Sequence, residues 1–182
     1  MKMVNANKKV LILTVLAIVA VLAMAFESSA AEEKPAKAKE KPLNEKWTTA
    51  AWDTFKSGKY ALAITNADLC IDEFQGQADL LEKALEKDKP DLPTGRPPNG
   101  EIKEKIFANG LLNDVASCLF IKGRAFEKLG HKEEAKKAFE QAKQYPYARA
   151  WDPDQELFWS PAEAAAGRLE RNRPAEPSYA EG

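Results

Sequence analysis

Apolar positions recur three and four residues apart from Cys118 to Ala142. Leu119, Gly123 and Phe126 precede Leu129-Gly130-His131, and Ala135, Phe139 and Ala142 follow it. That spacing predicts two short amphipathic helices joined by a tight turn. Gly123 lets two helix backbones approach closely, and Phe126 fills the space one turn on. A weaker copy of the pattern runs from Trp47 to Ile71. Trp47, Ala51 and Phe55 share one helical face, Ser57-Gly58 makes a turn, and Tyr60, Ala63, Ile64, Ala67, Cys70 and Ile71 form the next face.

Between the two copies the stripes do not stop. Phe74, Ala78, Leu81, Ala84 and Leu85 extend the first, and Ile102, Ile106, Leu112, Val115 and Leu119 lead into the second. Lys89 to Gly100 separates them, with four prolines and two glycines that forbid helix. The expected architecture is all-α, with a long central helical hairpin of about 29 residues per arm. Its Pro-rich tip is either a plain connector or an exposed segment able to dock a partner. Folding the arms about Thr94-Gly95 puts Cys70 and Cys118 at one height.

The two copies resemble the tetratricopeptide repeat. Gly123 with Phe126 meets its glycine–aromatic position, and Ala135 with Phe139 its alanine–aromatic position. In the first copy Trp47, Gly58, Tyr60, Ala63 and Ile64 sit at the family's offsets, while Thr54 and Ala67 depart from it. The resemblance implies helix-turn-helix repeats without chemistry of their own, used as binding surfaces. It also implies a concave face built from the first helix of each repeat, here drawing on Trp47, Trp52, Arg124 and Lys128.

Tyr145-Pro146-Tyr147 ends the second copy, since Pro146 cannot continue a helix. Ser160-Pro161-Ala162-Glu163 starts another, with Ser160 as N-cap and Pro161 in the first helical position. This last helix is expected to cap the repeat stack. Trp151, Phe158 and Trp159 lie before it, beside Asp152, Asp154 and Glu156. They read either as part of the cap or as an aromatic patch for a sugar or peptide.

The N-terminus bears on where the chain works. Lys8-Lys9 precede an apolar run from Val10 to Leu22, and small residues follow to Ala31. That is the form of a secretory signal over residues 1–30, with an uncleaved inner-membrane anchor as the alternative. No cysteine follows the run, which argues against a lipoprotein. Residues 31–46 are charged, proline-containing and poor in large apolar side chains, so a disordered linker is expected. The helical domain then covers 47–171 and a polar tail 172–182. An exported, periplasmic protein follows from this reading.

Basic and acidic residues nearly balance, 27 against 28, which does not support a nucleic-acid surface. Two cysteines are too few for a disulfide scaffold and wrongly spaced for zinc. In an oxidising compartment Cys70 and Cys118 form a disulfide, or else they remain buried thiols. His131, the only histidine, falls on a turn, and no nucleophile, metal or phosphate-binding motif is present. The expectation is a non-catalytic adaptor without cofactor or metal, binding a protein or peptide of the cell envelope, with a homo-oligomer as a further option. Contact with the membrane would run only through the N-terminal segment, if uncleaved. The alternative is a carbohydrate-interacting accessory protein using the aromatic patch.

Overall fold

Six helices and one two-stranded β-hairpin make up residues 40–172, the part that the computed structural model describes. The expected signal segment, most of the linker and nearly all of the tail lie outside these residues. In chain order the elements are α1 (Leu43–Lys56), α2 (Tyr60–Asp88), α3 (Gly100–Phe107), α4 (Gly110–Leu129), α5 (Lys132–Ala142), β1 (Ala150–Asp152), β2 (Leu157–Trp159) and α6 (Pro161–Arg171). The described fold is therefore mainly helical.

Local chemistry sets most of these boundaries. Gly58 and Gly130 take φ of +75° and +79°, so each turn sits where only glycine is unstrained. Ser160 Oγ accepts from the Glu163 amide at 3.2 Å, and Pro161 fills the first helical position, as the sequence predicts. α1, in contrast, begins at Leu43, inside the stretch expected to be linker. Lys41 and Glu45 pair one helical turn apart at 2.7 Å, and Asn44 is tied to Asp114. A solvated composition is overridden there by partners 70 residues away.

α4 is the central helix. From Leu112 to Ile121 every residue but Asp114 is buried, because α1, α2, α5 and α6 pack against α4 from different sides. Two contacts fix its direction against α1. Asn44 meets Asp114 and Thr48 meets Cys118, so contacts advance four residues on both helices together and the two run parallel. Against α2 the order reverses: Lys122 pairs with Asp68 at 2.6 Å, while Cys118 lies at the level of Cys70. These two helices are antiparallel, at the register that folding about Thr94-Gly95 requires. Gly123 faces the ring of Phe139 from α5, and this ring, rather than Phe126, occupies the space beside the glycine. Phe126 is half-buried and stacks on His131.

The long hairpin differs from expectation in its second arm. α2 is a single helix of 29 residues, but the returning arm breaks at Ala108-Asn109. Asn and Gly are weak helix formers, and the adjacent Asn113 makes good the broken ladder. Its Nδ2 donates to the carbonyl of Ile106 at 2.9 Å, while its Oδ1 accepts from the Arg149 amide at 2.8 Å. α3 is thereby turned toward the C-terminal segment. There Ile106 joins Leu92 and Phe158 in a second small core, with Ile102, Tyr147 and Trp151 against it.

That second core also decides the Pro-rich tip and the aromatic segment. Ala150–Asp152 and Leu157–Trp159 pair antiparallel, a hairpin too short for its alternation to show in the sequence. Gly95 exchanges two backbone hydrogen bonds with Phe158, at 2.7 and 2.9 Å. The tip is thus fastened to the hairpin through Gly95 and the buried Leu92. α6 then packs on α4 and α5. Among the described residues no helix is long and apolar enough to cross a membrane.

Candidate functional site

The parallel pair α1 and α4 forms the floor of an open groove of about 960 Å3, and the β-hairpin forms its far wall. The geometry follows from the packing. α4 is held centrally by its apolar faces, and α1 lies beside it. The loop from Tyr145 returns over the break before α4 to set the hairpin opposite α1. Tyr145 Oη donates to Asp79 at 2.5 Å, and the Tyr147 amide donates to Glu82 at 3.2 Å. Arg149 is locked as well. Its Nε donates to the Leu92 carbonyl at 2.7 Å, and a terminal nitrogen donates to the carbonyls of Pro146 and Ala148.

One end of the groove is aromatic. Trp52 meets Trp159 edge-on at 6.2 Å between ring centroids, and Trp159 meets Phe120 at 5.2 Å. The other end is polar. Asp114 accepts from Asn44 Nδ2 at 2.6 Å, and burial pushes its pKa up to about 6, with Asn44 and Thr48 opposing the shift. On the hairpin, Asp152 accepts from the amides of Asp154 and Gln155 and from the Gln155 side chain. These bonds hold its carboxyl below the usual range and close its own turn.

Beneath the groove floor lies a buried polar knot. Thr48 donates its hydroxyl to the Asn44 carbonyl at 2.8 Å, leaving its oxygen to accept. Cys118 Sγ is 3.3 Å from that oxygen and Cys70 Sγ 3.8 Å. Both cysteines are fully buried and are thiols here, without a covalent bond between them. The hydrogen bond between them lowers the pKa of Cys70 and raises that of Cys118, and burial pushes Cys118 up further.

The chain matches no protein family, no characterised protein and no solved structure. Function therefore rests on the geometry of the groove.

The residues singled out in the sequence are only partly brought together. Of the four assigned to a concave face, Trp52 lines the groove. Trp47 turns to α2 and packs on Phe74 at 5.8 Å. Arg124 lies over the rings of Phe55 and Phe120 and beside Glu127, which also takes Arg168 of α6. Lys128 is exposed beyond the groove. The expected face is thus shortened, because α6 covers the end of α4 that would carry it.

The aromatic patch is divided rather than continuous. Strand pairing puts Trp151 opposite Phe158, with centroids 4.8 Å apart, while Trp159 points to the other face of the hairpin. Phe158 is buried in the second core, and Lys103 lies 4.4 Å over the Trp151 ring. His131 is exposed, with its ring against Phe126 and away from the groove.

The sequence reading missed Thr48, Asn113, Asp114 and Arg149. One signal was available for Asn113. It and Ser117 lie one turn apart within a helix that is apolar on every side, a pattern that places polar groups in a core where they must be bonded.

Proposed function

We propose that this chain is an exported, non-catalytic binding module of the tetratricopeptide-repeat type, which holds a protein or peptide of the periplasm in the groove over α1 and α4. The observation that carries the reading is the parallel placement of these two helices. Asn44 with Asp114 and Thr48 with Cys118 are each 70 residues apart. Equivalent first helices of two hairpins, set side by side with one offset, are what a repeat stack produces, and its exposed face is where such stacks bind. The groove is partly open to solvent and lined by two helices and a hairpin, a setting in which a peptide segment can lie. Export rests on the basic start, apolar run and small residues of the first 31 positions.

A photo-crosslinking amino acid at Thr49, in the groove, and at Lys137, on the outer face of α5, tests this in cells that export the chain. The expected result is a discrete protein adduct from position 49 in the periplasmic fraction and none from 137. Equal labelling from both positions, or recovery of the chain in the cytoplasm, overturns the proposal.

A further inference from the structure

We infer that the groove accepts a peptide segment whose lysine or arginine side chain seats against Asp114 while apolar residues of the same segment lie on Trp52 and Trp159. This rests on the reading of the groove as a protein-binding surface and specifies its ligand.

The first argument is charge. Acidic side chains outnumber basic ones along the groove by five to three, and most of the charges already have work within the fold. Lys41 is paired with Glu45 at 2.7 Å. Arg149 is fixed by three carbonyls, and Asp152 closes its own turn. Bonds to neutral carbonyls and amides cancel no charge, so the acidic excess of the lining stands and the field in the groove favours a cation.

The second argument is the state of Asp114. Its hydrogen-bonding neighbours, the Asn44 amide and the Thr48 hydroxyl, are neutral, and the cation acting on it is Lys41, which precedes α1 and is already tied to Glu45. A carboxylate drawn this far from water without its own cation is unfavourable until one arrives. A guanidinium or ammonium group entering the groove supplies it and makes a charge-assisted hydrogen bond.

The third argument concerns the rings. The fold's own cations already cover Trp151, Phe107, Phe55 and Phe120. Trp52 and Trp159 carry no such cation among the described residues, and both line the groove. They offer half-buried apolar surface one or two helical turns from Asp114, a spacing that an extended peptide of a few residues spans.

The test is selection of random dodecamer peptides displayed on phage against the purified chain, followed by binding titrations of the enriched peptides. The expected result is enrichment of a lysine or arginine beside an aromatic or aliphatic residue. Affinity should fall about tenfold or more in Asp114→Asn, the size expected for one charge-assisted hydrogen bond. Asp154→Lys, at an exposed position, should weaken the same peptides several-fold without touching the core. Peptides that lose affinity in Trp52→Ala but contain no basic residue, or ignore both aspartate variants, overturn the ligand assignment and leave the groove reading standing. Peptides that ignore Trp52→Ala as well, or no enrichment at all, overturn both.

Discussion

Gly123 and Phe139 are in direct contact: a Cβ placed on residue 123 would lie 2.5 Å from the Phe139 ring. The ring is fully buried and cannot swing aside. Gly123→Ala gains about 1 kcal/mol of helix propensity, yet it forces α4 and α5 apart, at a cost of about 1–3 kcal/mol. The expected result in urea unfolding is a net loss of stability of about 1–2 kcal/mol. Equal or greater stability would mean that the two helices do not meet at this glycine.

Cys70 and Cys118 face each other beside the Thr48 hydroxyl, in a chain proposed to be exported. Protein recovered from an oxidising compartment is expected to carry a disulfide between them, and protein retained in the cytoplasm two free thiols. Alkylation of the unfolded protein without reduction, read by mass spectrometry, distinguishes the two. Such a bond would close a loop of about 50 residues and stabilise by about 3–4 kcal/mol if unstrained. Uptake of alkylating agent at both positions in exported protein rules the bond out.

Glu82 predicts a pH dependence. It is almost fully buried, with one carboxyl oxygen held by the Tyr147 amide and the other without a partner. Burial raises its pKa from 4.5 to about 7, against the pull of Arg149 and with Glu86 adding to the rise. The folded state therefore holds this proton more tightly than the unfolded one. The stability it contributes is complete below pH 4.5, is lost progressively up to about pH 7, and stays lost above. Asp114 acts in the same direction, between 3.8 and about 6. Between pH 6 and 7 the slope belongs chiefly to Glu82. Glu82→Gln is expected to flatten it and to raise stability at pH 8 relative to pH 5, by on the order of 1–2 kcal/mol. An unchanged slope in the variant overturns the assignment.

Asn113 holds the junction between α3, α4 and the β-hairpin. Asn113→Ala removes both of its bonds and leaves the Arg149 amide without a partner. A loss of about 2–3 kcal/mol is expected. Hydrogen exchange should quicken at residues 100–107 and 150–159 while α1 and α2 keep their protection. Uniform loss of protection would show that the second core does not depend on this side chain.

Much of the helical frame is legible in the sequence because it is local. The stripe from Tyr60 to Leu85 needs only three- and four-residue spacing to declare a helix, and α2 runs as one. Gly58 and Gly130 mark turns because their backbone angles suit no other residue, and Ser160 with Pro161 starts α6 through atoms within one turn. Even the level of Cys70 against Cys118 follows from the length of two arms and the connection between them.

The groove was decided by contacts between distant segments. The stripe through Ile102, Ile106, Leu112 and Val115 reads as one helix, since the break at Ala108-Asn109 is stabilised by Asn113, which bonds to Arg149, 36 residues beyond it. β1 and β2 are three residues each, too short to signal themselves, and hold only against Gly95 and the core of Leu92 and Ile106. Asp114 looks like any helical aspartate until α1, 70 residues earlier, covers it and withdraws it from water. Periodicity reports which face of a segment is buried. Which other segment buries it, and how that shifts a charge or breaks a helix, depends on surfaces that meet only in the folded chain.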